Sequence, residues 1–176
     1  MRHYTTSHEE APSTALTSWV GRRRVVVVAQ SPRWLLVTTI TLAESDDDIA
    51  RCFAVMHQLR PHLIDASFVA TVRRQQAEGY RLALLSDDGE VRAVAGFRIL
   101  DNLVSGRLLY VDDLVTDETC RSRGHGKVLF DWLVRAARNE GCRYLELDSG
   151  VQRFDAHRFY LGNRMIISAH HFRLKL

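Results

Sequence analysis

The sequence predicts an α/β fold of the α+β kind, a mixed and mostly antiparallel sheet flanked by helices. Three observations carry that expectation. Short β-branched runs joined by Asp-Gly and Ser-Gly turns fill residues 80–116. Apolar residues at helical spacing stand on both sides of them, at Ile49, Phe53, Met56 and Leu59 and again at Leu129, Leu133, Ala136 and Ala137. The 176-residue chain is 46% hydrophobic with three prolines and ten glycines, enough to bury one sizeable core.

Residues 1–35 read as an N-terminal extension rich in Ser, Thr, His and Arg, loosely ordered apart from one short strand at 25–29. The domain proper is expected over residues 36–176. Val37–Leu42 is β-branched and predicts a strand. Ser45 followed by Asp46, Asp47 and Asp48 is a capping-box-like helix start with acids in the first turn, and Pro61 ends that helix. A second helix is expected from Asp65 to Gly79, with Phe68, Val69 and Val72 on one face. Tyr80–Leu85 and Val91–Leu100 form a hairpin through the turn at residues 86–89, and Arg107–Thr116 adds a third strand. A helix then runs to Gly141, a strand spans Arg143–Leu147, and Asp148, Ser149 and Gly150 cap a short helix reaching Gly162. Met165–Leu176 is predicted as a final strand. The order is therefore β, α, α, three antiparallel strands, α, β, α, β.

Composition narrows the function. A formal net charge of +3 and a pI near 9.0 suit an anionic ligand but are too weak to argue for nucleic acid, even with the basic triplet Arg22–Arg24. Cys52, Cys120 and Cys142 are odd in number and contain no C-x-x-C pair. They point to a reducing compartment, the cytoplasm, and away from a disulfide framework or zinc finger. None of the eight histidines stands at metal-ligand spacing, so no metal is expected. The apolar run Val25–Ala29 is far too short to cross a bilayer, and no membrane partner is expected.

The chemistry centres on Cys120–Leu129, "CRSRGHGKVL", where two glycines and three cations run into an apolar helix. A helix N-terminus offers unpaired N–H groups to phosphate, and glycine lets the backbone approach a ligand closely. A Walker A loop needs a glycine where Arg121 stands and Ser or Thr where Val128 stands, so that reading fails. A dinucleotide fingerprint would place Asp148 on a ribose. It lacks the third glycine, where Leu129 stands, and has some eight residues between strand and Gly124 where a tight turn is needed.

Read as Arg121, Gly124 and Gly126 in Arg-x-x-Gly-x-Gly, the stretch resembles the acyl-CoA-binding motif of the GNAT acetyltransferase family. The surrounding "LLYVDDLVTDETCRSRGHGKVLFDWLVRAARNEGCRYLELDSG" is similar to that family's strand, loop, helix and strand. "AHRFYLGNRMIISAHHF" is similar to its next helix, which carries a tyrosine, and the strand beyond. The likeness covers residues 37–176. It implies the GNAT acyl-CoA N-acyltransferase fold with acetyl-CoA as co-substrate. It places the CoA pyrophosphate on the loop of Arg121, Ser122, Arg123, Gly124, His125, Gly126 and Lys127. It also implies that backbone groups of Leu114, Val115 and Thr116 serve the pantetheine arm and acetyl carbonyl, on a strand that splays from its neighbour.

The implied reaction is direct attack of a primary amine on the thioester in a ternary complex, with Tyr160 protonating the departing thiolate. A phenol of pKa about 10 can donate to a thiolate whose conjugate acid lies near about 8.5. Asp112 and Asp113 precede the acetyl-binding stretch, and consecutive strand residues face opposite sides, so one acid is expected to face the active site. Asp113, where family members often carry an acid, is the candidate proton acceptor. Pairing with an arginine such as Arg107 or Arg143 would make its role structural. His125 is expected to face solvent, and Glu118 stands where the family often has proline. The expected partner is a small-molecule amine or a peptide or protein amino group; a homodimer is compatible with the chain. A non-catalytic acyl-CoA-binding regulatory module of the same fold is the alternative.

Overall fold

The computed structural model describes residues 25–26 and 38–176. Six strands form one sheet in sequential order: β1 (Val25–Val26), β2 (Thr39–Leu42), β3 (Arg81–Asp87), β4 (Glu90–Asn102), β5 (Gly106–Thr116) and β6 (Tyr144–Leu147). All neighbours are antiparallel except β5 and β6, which run parallel. The helices are α1 (Asp46–Arg51), α2 (Phe53–Leu59), α3 (Asp65–Ala77), α4 (His125–Asn139) and α5 (Phe154–Gly162). Of the strand expected at 25–29, Val25–Val26 is present and residues 27–29 lie outside the described residues, as does Val37.

Alternation along the strands sorts side chains into two cores. On one face Ile40, Ala83, Leu85, Ala95, Phe97 and Leu109 pack under α4 through Leu129, Trp132 and Leu133. On the other, Leu82, Leu84 and Val94 meet Ile49, Met56, Phe68 and Val72 from α1 to α3. A sheet whose strands carry apolar residues on both faces must be covered on both, and the sequence supplies the helices that do so.

Ser45 caps α1 as expected. Its Oγ accepts the Asp48 N–H at 3.1 Å and donates to the Asp48 carboxylate at 2.8 Å. The single helix expected up to Pro61 is instead two, broken at Cys52. There the backbone N–H reaches back only three residues, to Ile49 O at 3.0 Å, while the thiol donates to Asp48 O at 3.2 Å. A side chain that bonds the carbonyl one turn back competes with the helical ladder.

The final strand expected at 165–176 is not formed. Phe172, Arg173, Leu174, Lys175 and Leu176 alternate as a one-faced strand would, yet no backbone hydrogen bond joins them to β6 and the three apolar side chains stand in solvent. Alternation supplies a pattern, but a strand exists only where its backbone pairs with a neighbour, and this segment does not pair with the outer edge of β6.

One irregularity positions the site. Gly96 on β4 pairs with Asp113 and Phe97 with Val111, leaving Asp112 as an extra residue in β5. This β-bulge shifts the alternation of β5: Val111 and Leu114 both join the α4 core, and Val115 joins the α1–α3 core. Gly96 is required there, because a Cβ would run into the Tyr80 hydroxyl and ring laid across it.

Candidate active site

β5 and β6 pair only from Leu108 opposite Tyr144 to Val111 opposite Leu147. Beyond that point β5 continues to Thr116 without a strand on its β6 side, while the chain after β6 turns into the loop before α5. A cleft opens where they part. It is lined by Leu59 of α2 and Arg60 just after it, Val111, Asp112 and Leu114 of β5, Asp148, Ser149 and Gly150 after β6, and Arg153 and Tyr160 at α5. Leu114, Val115 and Thr116 therefore stand where the expected splayed backbone should be, and Leu114 lines the cleft itself. Alternate N–H and C=O groups of this stretch face a side with no neighbouring strand.

The glycine loop connects β5 to α4. Asp117 starts a short 3-10 turn, Glu118–Cys120, accepting the Thr119 N–H at 3.1 Å. Glu118 explains its departure from proline: its N–H donates to Gln58 Oε1 at 2.9 Å, a bond proline cannot make. Arg121, Ser122, Arg123 and Gly124 are exposed. Gly124 holds φ 91°, a left-handed conformation that suits glycine, and caps α4 without a side-chain acceptor. The first amides of a fifteen-residue helix are thus left open for an anion. Gly126 lies against β5, where an added Cβ would sit 2.8 Å from Thr116 Oγ1. The residues present fit a pyrophosphate.

One member of this loop differs from expectation, and another is engaged along its own helix. His125 is buried, not solvent-facing; its Nε2 lies 3.3 Å from Asp87 Oδ2, and its buried Nδ1 has no partner among the described residues. The first turn of α4 folds the imidazole under the loop toward the end of β3, tying loop to sheet. Lys127 lies 2.6 Å from both carboxylate oxygens of Asp131, one turn along α4.

Tyr160 lines the cleft from α5, beside Phe159, which packs edge-on against Phe130 of α4. Burial raises the Tyr160 pKa, with the charge of Arg153 pulling the other way, so the phenol remains a proton donor at neutral pH.

The two acids of β5 do not take strictly opposite faces, because Asp112 is itself the extra residue of the bulge, between Val111 and Asp113. Asp113 accepts Arg60 Nε at 2.7 Å and the Tyr80 hydroxyl at 3.1 Å. Asp112 accepts Arg98 Nε at 3.1 Å, and the Arg98 guanidinium stacks 5.3 Å from the Tyr80 ring centre. Arg60 also donates to the Asp112 carbonyl at 3.0 Å. Asp112 lines the cleft with Tyr160; Asp113, with a side chain 12% exposed, lies behind it in the Arg60–Tyr80 network. The arginine beside Asp113 is Arg60, a helix-terminal residue distant in sequence, and not Arg107, which pairs with Asp101 and Glu140, or Arg143, which stacks on Tyr144. Desolvation raises the Asp112 pKa, against the charge of Arg98.

Asp148 and Ser149 were expected to cap α5, but the residue preceding α5 is Arg153, with no side-chain cap. Asp148 instead accepts the Tyr110 hydroxyl at 2.7 Å, and the Ser149 hydroxyl is buried without a partner among the described residues.

Comparison with known proteins fits this geometry. The chain matches the Acetyltransferase (GNAT) family over residues 43–162. It is 36% identical over 117 residues to an uncharacterized N-acetyltransferase of Bacillus subtilis (strain 168), YhdJ, covering 66% of this chain and 82% of that protein. In fold it resembles the aminoglycoside N-acetyltransferase AAC(6')-Iy in complex with CoA, at TM-score 0.70 and 17% identity over 84% of this chain and 99% of that one. It also resembles a ribosomal-protein-alanine N-acetyltransferase from Brucella melitensis biovar Abortus 2308, at TM-score 0.68 and 18% identity over 79% and 99% of the two chains. With strands that part at a cleft walled by the tyrosine-bearing helix, and an open helix terminus beyond the end of β5, this chain belongs to the GNAT acetyltransferase family.

Proposed function

We propose that the protein transfers an acetyl group from acetyl-CoA to a primary amine by direct attack in a ternary complex. The observation that carries this reading is the cleft between β5 and β6, with the uncapped α4 terminus at the end of β5 and Tyr160 on its wall. In the reaction the amine nitrogen forms a bond to the acetyl carbon and the C–S bond breaks. The thiolate takes the Tyr160 proton, and the proton of the attacking amine leaves to water or base. Arg121, Ser122, Arg123, Gly124, His125, Gly126 and Lys127 hold the CoA pyrophosphate, and backbone groups of Leu114, Val115 and Thr116 hold the pantetheine and the developing oxyanion. Asp113 enters as the acid that fixes Arg60 and the bulge, and any proton passing to it does so through water from the cleft, where Asp112 stands.

We take residues 36–176 as the acyltransferase domain and residues 1–35 as an extension to it. Among the described residues no helix is long and apolar enough to cross a membrane. The cytoplasm is our placement, supported by three cysteines that are free. CoA release followed with a thiol reagent, over a panel of amines and peptide N-termini, tests the reading. Acetyl-CoA is expected to raise the melting temperature and NAD is not. A melting temperature unmoved by saturating acetyl-CoA overturns the reading, and binding without turnover of any acceptor favours the non-catalytic module.

A further inference from the structure

The cleft holds an acid that the reaction does not use. Asp148 Oδ2 accepts the Tyr110 hydroxyl at 2.7 Å and lies 2.9 Å from His171 Nδ1, with both members of that second pair 54% exposed at the rim. Two other charges of the cleft are paired within the fold, Asp112 with Arg98 and Arg60 with Asp113, and Arg153 stands on the same wall toward Tyr160. The partner of Asp148 is different in kind. It belongs to the C-terminal segment, which forms no helix or strand and whose side chains around it are exposed. Tyr110 keeps its proton, since burial and then the Asp148 carboxylate raise its pKa, so the carboxylate stays oriented whether or not the histidine is there. The buried Ser149 hydroxyl beside it, without a partner among the described residues, offers one more polar group at the same wall.

We propose that Asp148 anchors a second, cationic group of the acceptor, and that His171 occupies this place until the acceptor displaces it. The proposal rests on the acetyltransferase reading and names its substrate class. The anchored group is not the nitrogen that reacts. A carboxylate at ion-pair distance favours the protonated ammonium, which has no lone pair to offer a thioester. The attacking amine must therefore be a second nitrogen of the same molecule, set deeper toward Tyr160. A diamine or polyamine meets both requirements and a monoamine meets one.

The experiment compares kcat/KM for 1,4-diaminobutane and n-butylamine, by CoA release, in the full-length wild type, Asp148→Asn and His171→Ala. The wild type is expected to prefer the diamine. Asp148→Asn lowers that preference by about fivefold or more, chiefly through KM, as expected for a partly exposed charged contact. His171→Ala moves the other way and raises kcat/KM for the diamine, because the group that occupies the carboxylate is gone. A merely structural pair would lower activity toward both amines in both variants. An unchanged preference in Asp148→Asn, or a fall in His171→Ala parallel to it, overturns the proposal. The shift in melting temperature with acetyl-CoA reports whether each variant is folded. Equal use of the two amines by the wild type sinks this inference alone. Failure to bind or turn over acetyl-CoA sinks the acetyltransferase reading as well.

Discussion

Truncating Asp113 to alanine separates a structural acid from a catalytic one. The change removes the Arg60 pair, whose arginine is 44% exposed, so this contact contributes about 0–1 kcal/mol. It also leaves the Tyr80 hydroxyl without its acceptor in a residue only 5% exposed, which costs about 1–3 kcal/mol. Together these give a loss of about 1–4 kcal/mol, or a fall of roughly 2–16 °C in melting temperature for a domain of this size. Tyr80→Phe removes one hydrogen bond and leaves Asp113 with Arg60, for about 1 kcal/mol. The double variant has no orphaned hydroxyl, so its loss should fall short of the sum of the singles by about 1–2 kcal/mol. Thermal and urea denaturation followed by circular dichroism measure the cycle, and CoA release measures turnover per folded molecule. The expected turnover loss is under about tenfold, because Asp113 is held behind the cleft. An unchanged melting temperature with turnover down by about a hundredfold or more would refute this reasoning and make Asp113 the base.

Tyr160→Phe is expected to lower kcat by about a hundredfold or more while the acetyl-CoA dissociation constant stays within about twofold; undiminished turnover returns Tyr160 to packing alone. Glu140→Gln tests a pH dependence. Hydrogen bonding from Arg81, and then the charges of Arg81 and Arg107, hold the Glu140 carboxyl below its usual range. A depressed folded pKa stabilises the protein above the ordinary glutamate value and loses that stabilisation as pH falls through the folded one. The variant should be less stable by about 1 kcal/mol at pH 7 and indistinguishable from wild type in acid, by urea denaturation at each pH. Gly96→Ala is expected to cost about 2 kcal/mol or more, since the ring in its path belongs to buried Tyr80; melting within about 1 °C of wild type would show that the bulge relaxes freely.

The fold was legible wherever a local signal sufficed. Ser45 with its three acids, the Asp-Gly hairpin and the helical stripes of α3 and α4 each name their element from neighbours in sequence. The family was legible in a motif, the Arg-x-x-Gly-x-Gly stretch at Arg121–Gly126. It was hidden where long-range pairing decides. The bulge at Asp112 exists only through the register of β4 on β5, so strict alternation assigned its two acids to opposite faces. Arg60 comes from a helix end more than fifty residues before Asp113, which no spacing rule reaches. His125 looked like a loop residue open to water until the sheet end beneath it was in place. The last segment carries a strand's alternation without a strand's neighbour, and Asp148 carries a helix-cap signature that Tyr110 diverts.

Side chains are not what β5 offers beyond Val111. Main-chain groups on its β6 side are the same for every residue but proline, so an alanine scan of Leu114 to Thr116 would sample the wrong atoms. Proline scanning there, or amide-to-ester replacement by chemical ligation, would remove one hydrogen-bond donor at a time and leave shape nearly intact in the second case. A main-chain contribution by itself fixes no side chain in this stretch; what holds Leu114 and Val115 in sequence is the two cores they fill, one on each face of the sheet.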